Sequence, residues 1–323
     1  MQKQKCSLKL YTQFLIGNQN RYSGVELSKV SGIPDMAHDA VGRWLASTKR
    51  TPSQLWQYTC SLVDRTTGYL ICDDTLIDKR YSRKNELARK QYSGNAHGLV
   101  NGISIVNFLW TDGMEYIPVD YRIYQKENDD LTKNDHFKNM LDTAEKRGFS
   151  PKYVLMDSWY SSIGNLKHIV KKNWHFMCNL KSNRQVSVEK GTYLSIADLE
   201  LADRQVRRVW LKEFGSVLVC KLVATNGDIT YLATDDLSCT EYETFTRHFH
   251  HRWKIEEFHR GIKQTTGFEH CESIKAASQK THIFSAFVAF VRLERQRLKS
   301  GVSWYEQKAL IPRLATADYL ANA

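Results

Sequence analysis

The stretch that decides the fold is FHHRWKIEEFHRGIKQ, Phe249 to Gln264. At about 100° per residue, Phe249, Arg252, Glu256 and Lys263 fall within an arc of roughly 60° on one face of a helix. Ile255, Phe258 and Ile262 recur at helical spacing on the other side, so that side has a core to face. A carboxylate framed by two cations on an anchored helix suits a phosphodiester. The plainer reading is an Arg252–Glu256 ion pair at i,i+4, which contributes only about 0.3 kcal/mol. Thr240 with Glu243 three residues later reads as a capping box that opens one long helix. Gly261 costs about 1 kcal/mol relative to Ala and buries no side chain, which close backbone approach to a partner would explain. Trp253 suits either stacking on an unpaired base or a place in the core.

Upstream, two aspartates each end a short apolar strand and so can converge on this helix. Leu62 to Cys72 is strand-like and runs into Asp73, and Tyr153 to Met156 leads to Asp157. Asp74 rivals Asp73, because strand alternation sends one of the two away from any shared site. Between them come a strand over Leu99–Trp110, a turn at Thr111–Gly113, a partner strand over Tyr116–Tyr124 and an amphipathic helix over Lys133–Arg147. A helix over Ile163–Lys172 and a strand over Trp174–Leu180 follow. The order β, β, β, α, β, α, β predicts an α/β class with a mixed sheet flanked by helices.

A β-rich insertion occupies 184–238, with a hairpin turn at Asn226-Gly227. Residues 1–60 read as a basic helical unit in which Val25–Val30, the turn Gly32-Ile33-Pro34 and Ala40–Leu45 make a helix-turn-helix. Arg43 then faces outward on a recognition helix. The expected division is therefore 1–60, a DNA-binding unit; 61–183, the first part of a core; 184–238, the insertion; and 239–323, the end of the core with C-terminal helices.

The 323 residues carry 46 Lys and Arg against 35 Asp and Glu, a net charge of +11 that favours a polyanionic partner such as nucleic acid. Seven cysteines without a CxxC pair argue for reduced thiols rather than disulfides or zinc. His248, His250, His251 and His259 lack cysteine partners and read as a face toward nucleic acid or solvent. The N-terminal apolar stretch is broken by Thr12, Gln13 and Asn18, and the longest apolar run, Ile283–Val291, is too short to span a bilayer. A soluble, cytoplasmic protein is expected.

Phosphodiester transfer needs a deprotonated nucleophile, in-line geometry and charge neutralisation at the leaving oxygen. Two divalent metals held by a few carboxylates supply all three, and Mg²⁺ prefers oxygen ligands. Asp73, Asp157 and Glu256 are the candidate ligands, with Arg252, Lys263, Trp253 and Arg43 as candidate DNA contacts.

At these residues the chain resembles bacterial insertion-sequence transposases of the DDE class. Their helix motif of Tyr, two residues, Arg, three residues, Glu, six residues, Lys is matched in spacing by Phe249, Arg252, Glu256 and Lys263, with Phe in place of Tyr. Asp73-Asp74-Thr75 matches the family's first Asp context, which favours Asp73. Asp157-Ser158-Trp159-Tyr160 matches the second, and Thr132-Lys133-Asn134 is a further similarity. The resemblance implies an RNase H-like core over about 60–300 and catalysis by Asp73, Asp157 and Glu256 with two Mg²⁺ or Mn²⁺. It also implies terminal inverted repeats and target DNA as partners, a homodimer on DNA and a nucleoid location. A catalytically inactive DNA-binding repressor, or another RNase H-like nuclease, shares part of this pattern. The insertion and N-terminal helices count against the compact nuclease, and the intact triple against the repressor.

Overall fold

The computed structural model describes residues 5–82, 84–93, 98–189 and 191–322. Four helices open the chain: α1 (Leu8–Gly17), α2 (Gly24–Val30), α3 (His38–Ser47) and α4 (Pro52–Thr59). The core begins with β1 (Tyr69–Asp78), β2 (Arg89–Ser93), β3 (Gly98–Thr111) and β4 (Ile117–Ile123). It continues through α5 (Lys126–Asp129), α6 (Lys133–Lys146), β5 (Tyr153–Met156), α7 (Ile163–Val170) and β6 (Phe176–Leu180). Next come β7 (Gln185–Ser187), β8 (Leu194–Ser195), β9 (Val206–Leu211), β10 (Gly215–Val223) and β11 (Ile229–Thr234). The chain closes with α8 (Tyr242–His250), α9 (Trp253–Thr265), α10 (Ala276–Ser300) and α11 (Trp304–Ala321).

Among the described residues the strands join one sheet, ordered β2-β3-β1-β5-β6-β11-β10-β9-β7-β8, with β4 also on β3. The segment β4-β3-β1 is antiparallel, and β5 and β6 run parallel to β1. This is the mixed sheet that the order of periodic segments predicts, in the RNase H-like form that the family resemblance implies. The insertion adds β7 to β11 to its far edge, antiparallel on β6.

Alternation along the strands divides the core in two. Tyr69, Ile71, Tyr153 and Leu155 face a cluster with α9 and α10, whereas Leu70, Cys72, Val154 and Met156 face α6 and α7. The run Ile283–Val291 is buried throughout, because α10 passes through the first cluster. The N-terminal helices share that cluster: the Tyr11 hydroxyl meets Nδ1 of His282 at 2.9 Å, and Thr281 donates to the carbonyl of Thr48 at 2.7 Å. In the expected helix-turn-helix segment, Leu27, Val41 and Trp44 are buried while Arg43 is exposed. No helix among the described residues is long and apolar enough to cross a membrane. All seven cysteines are free thiols.

Several local expectations change. β1 starts at Tyr69 and runs on to Asp78, because β3 pairs with it as far as Gly102. The capping box is absent: α8 starts after Glu241, and no side chain caps it. The long helix is two helices, broken at His251-Arg252 by tighter i→i−3 bonds from the amides of Arg252, Lys254 and Ile255. Gly261 meets an internal partner. A Cβ there would lie 2.9 Å from the Trp304 ring and 3.1 Å from Phe290. Overpacking of about 1–3 kcal/mol should therefore exceed the gain of about 1 kcal/mol in helix propensity. Gly261→Ala is expected to lower the denaturation midpoint; an unchanged or raised midpoint would refute this packing account.

Candidate active site

The parallel register of β1 and β5 pairs Cys72 with Met156. The residue that follows each is an aspartate, Asp73 within β1 and Asp157 just past β5, so the two stand at about the same level on neighbouring strands about 4.8 Å apart. By alternation Asp73 and Asp157 both point to the side that α9 covers. Asp74 points the other way, where its carboxylate accepts from Nζ of Lys133 at 2.6 Å and from the Tyr160 hydroxyl at 3.0 Å. β5 ends at Met156, so Asp73 is open on that side although it lies within β1.

The two aspartates are held and strained electrostatically. Asp73 Oδ1 accepts the amide of Asp74 at 2.8 Å, and Asp157 Oδ1 accepts the amides of Trp159 and Tyr160 at 2.9 and 3.3 Å. Burial, then the neighbouring charges of Asp157 and Asp74, push the Asp73 carboxyl up to about 8. Burial raises Asp157 too, against the lowering effect of its two amide donors and of Arg252. Arg252 acts on both aspartates and donates through Nη2 to Glu256 Oε1 at 2.6 Å. Its side chain is only 15% exposed and Glu256 is 32% exposed, so this pair is largely shielded from solvent.

Among the described residues, no three His, Cys, Asp or Glu side chains are already arranged around a metal position. Asp73 and Asp157 nevertheless fit a hard divalent cation: they offer oxygen donors, and a dication would take the place of the proton that Asp73 keeps below about pH 8. Glu256 is engaged by Arg252.

The other expected contacts separate. Lys263 donates to the carbonyl of Leu76 at 2.8 Å and pairs with Glu269 at 3.1 Å, tying α9 to β1. Trp253 is 46% exposed, outside the core, with the Arg252 guanidinium 5.8 Å from its ring centroid. Phe249 packs half-buried against the core, also under Arg252. Arg43 is far out on α3 and pairs with Asp39. His248 and His259 are buried, contrary to the solvent-facing expectation for the histidine run. Burial, then Lys263, lowers His259 to about 3, and this ring is neutral.

Sequence reading missed Lys133, Trp159 and His259 near the site. The Lys133 ammonium lies 6.0 Å from the Trp159 ring and the Lys181 ammonium 5.7 Å from it, and Trp159 and Lys181 line a cleft of about 430 Å³ with Arg184 and Lys212. Thr132-Lys133-Asn134 carried a sign of Lys133. Its side-chain direction depends on the capping box of Thr132 with Asp135, which starts α6.

Three antiparallel strands, two parallel ones and acids level on β1 and β5 define an RNase H-like α/β class. Within it, the sequence profile of the Transposase DDE domain family matches residues 65–292. The chain belongs to that family: it is a transposase by kind, an enzyme of DNA cleavage and strand transfer, in a family whose chemistry is metal-dependent. No curated protein matches the sequence. Among solved structures, the fold is similar to a piggyBac transposase in a synaptic complex with hairpin DNA, at 11% identity and a TM-score of 0.56. That likeness covers 95% of this chain and 68% of the other. A Drosophila P element transposase strand transfer complex matches at 11% identity and a TM-score of 0.32, over 60% of this chain and 48% of that one.

The raised Asp73 carboxyl gives a stability signature. Between pH 4 and about 8 the folded state keeps a proton that the unfolded state releases, so stability falls as pH rises through that window. In chelator, Asp73→Asn should remove most of this slope and exceed the wild type at pH 8 by on the order of 1–3 kcal/mol. Equal slopes for the two proteins in denaturant titrations would contradict it.

Proposed function

We propose that this chain is the transposase of a mobile element, which nicks DNA at terminal inverted repeats and joins the freed 3′-hydroxyl to target DNA. The observation that carries this reading is the β1/β5 register, with Asp73 and Asp157 level beneath the helix of Glu256. Asp73, Asp157 and Glu256 are the ligand set, for two Mg²⁺ or Mn²⁺. When bound, the metals would activate the attacking oxygen and neutralise the leaving one. Asp73 and Asp157 orient that site through fixed backbone bonds, and Glu256 joins it on leaving Arg252.

The guanidinium of Arg252 is then free to meet a backbone phosphate of the DNA end. Lys263 fixes α9 on β1 and contributes positive charge beside the same phosphates. Trp253, exposed next to Arg252, offers a stacking face to an unpaired base. Residues 1–60 read the repeats through Arg43 and its neighbours, 61–183 and 239–323 form the catalytic unit, and 184–238 extend it. The working form is a homodimer on DNA, in the bacterial cytoplasm at the nucleoid.

The test uses purified full-length protein, labelled duplexes bearing the inverted repeats that flank its gene, and Mg²⁺ or Mn²⁺. Cleavage and strand transfer are expected, with losses of more than about 100-fold in Asp157→Ala and Glu256→Ala, beyond the usual cost of removing an outer-shell partner. Binding without cleavage by the wild type would favour a repressor. Cleavage without joining would favour another nuclease.

A further inference from the structure

Asp73 has a buried neighbour outside the ligand set. Its cross-strand partner on β3 is Asn107, which is 1% exposed. The Asn107 amide nitrogen lies 3.2 Å from the carbonyl of Ile105 and 2.9 Å from Nε2 of His259. The Ile105 carbonyl can only accept, so the amide must present its NH₂ group on this side. One hydrogen goes to Ile105 and the other to His259, whose Nε2 must accept it. In a neutral imidazole the proton is then on Nδ1. Nδ1 is the atom that faces Asp73, 4.0 Å from Oδ2.

We infer that Asn107 and His259 are positioning residues for Asp73: Asn107 fixes the His259 tautomer, and the resulting Nδ1–H steers the Asp73 carboxylate. This inference rests on the reading of Asp73 as a metal-holding residue. At 4.0 Å the contact is longer than a hydrogen bond, and a shift of about 1 Å closes it. The spacing suits a steering role. His259 sits three residues after Glu256 on α9, so one helix carries Glu256 and also orients Asp73. Once Asp73 has given up its proton, the opposite tautomer would aim a lone pair at the carboxylate and turn it away. The arrangement also keeps the imidazole off the metal, because its one basic nitrogen is already engaged by Asn107.

Two measurements on the full chain test this. In metal-free protein, ¹⁵N NMR of the imidazoles, with the His259 signal assigned by its loss in His259→Asn, should show the Nδ1–H tautomer. An Nε2–H signature would overturn the inference. Mn²⁺ binding followed by electron paramagnetic resonance should weaken about 10- to 100-fold in His259→Leu, as for other outer-shell changes. His259→Asn, whose amide nitrogen falls near the Nδ1 position, should recover most of the affinity, and Asn107→Leu should lose part of it. Asp157→Ala separates the two levels of the argument. If it leaves Mn²⁺ binding unchanged, the metal-site reading fails. If it abolishes binding while His259→Leu and Asn107→Leu bind as the wild type does, the metal site stands and the positioning role falls. A His259→Leu chain that does not fold leaves the tautomer and the Asn107→Leu titration to decide.

Discussion

The parallel pairing of β1 with β5 is the constraint on which the rest of the structure depends. Two aspartates 84 positions apart in sequence become neighbours because Tyr69 to Cys72 align with Tyr153 to Met156 without offset. A slip of one residue would turn one of them to the opposite face, into the apolar cluster with Phe137 and Leu166. The hydrophobic alternation on both strands forbids that slip, since Ile71 and Leu155 would leave one core and Leu70 and Val154 the other. The same apolar residues that hold the sheet together therefore level the acids.

Levelling two carboxylates in a half-closed cleft is electrostatically unfavourable, and the fold offsets this with fixed donors. The amides of Asp74, Trp159 and Tyr160 point at the two carboxylates, and the positive charge of Arg252 acts on both. Its position depends on the break between α8 and α9. In a continuous helix Arg252 would be one more residue in a ladder, whereas here it occupies the start of α9 and spans from Glu256 toward both aspartates. One guanidinium thus bonds the acid on the helix and acts through its charge on the other two.

Much of this was legible from residue pattern. The strand over Tyr153–Met156 and the strand over Ile229–Thr234 follow from apolar runs bounded by turn residues, and the helix of α6 from its amphipathic spacing. The acids followed from their places beside those runs, and the family's contexts favoured Asp73. What was not legible depends on partners distant in sequence. β1 extends past Asp73 because β3 is long enough to pair with it. β2 has too polar a sequence, Arg-Lys-Gln-Tyr-Ser, to signal a strand, and forms as an edge on β3. Which of Asp73 and Asp74 shares a face with α9 depended on the side of the sheet that the helix covers. Asn107 could not be read as a neighbour of Asp73 without the register of β1 on β3.

The same dependence explains why the motif residues divide as they do. Glu256 and Arg252 keep side chains within reach of the cleft, while Lys263 spends its charge on the Leu76 carbonyl and Glu269. Lys79, just past the same end of β1, adds to that contact by donating to the carbonyls of Glu269 and Cys271 at 2.7 and 2.9 Å. Two ammonium groups therefore fasten the segment after α9 to β1, three to six residues beyond Asp73. That fastening fixes the height of α9 over the sheet, and with it the distance from Glu256 to the aspartates. Lys263 is thus tied to the backbone of β1 at Leu76, three residues past Asp73.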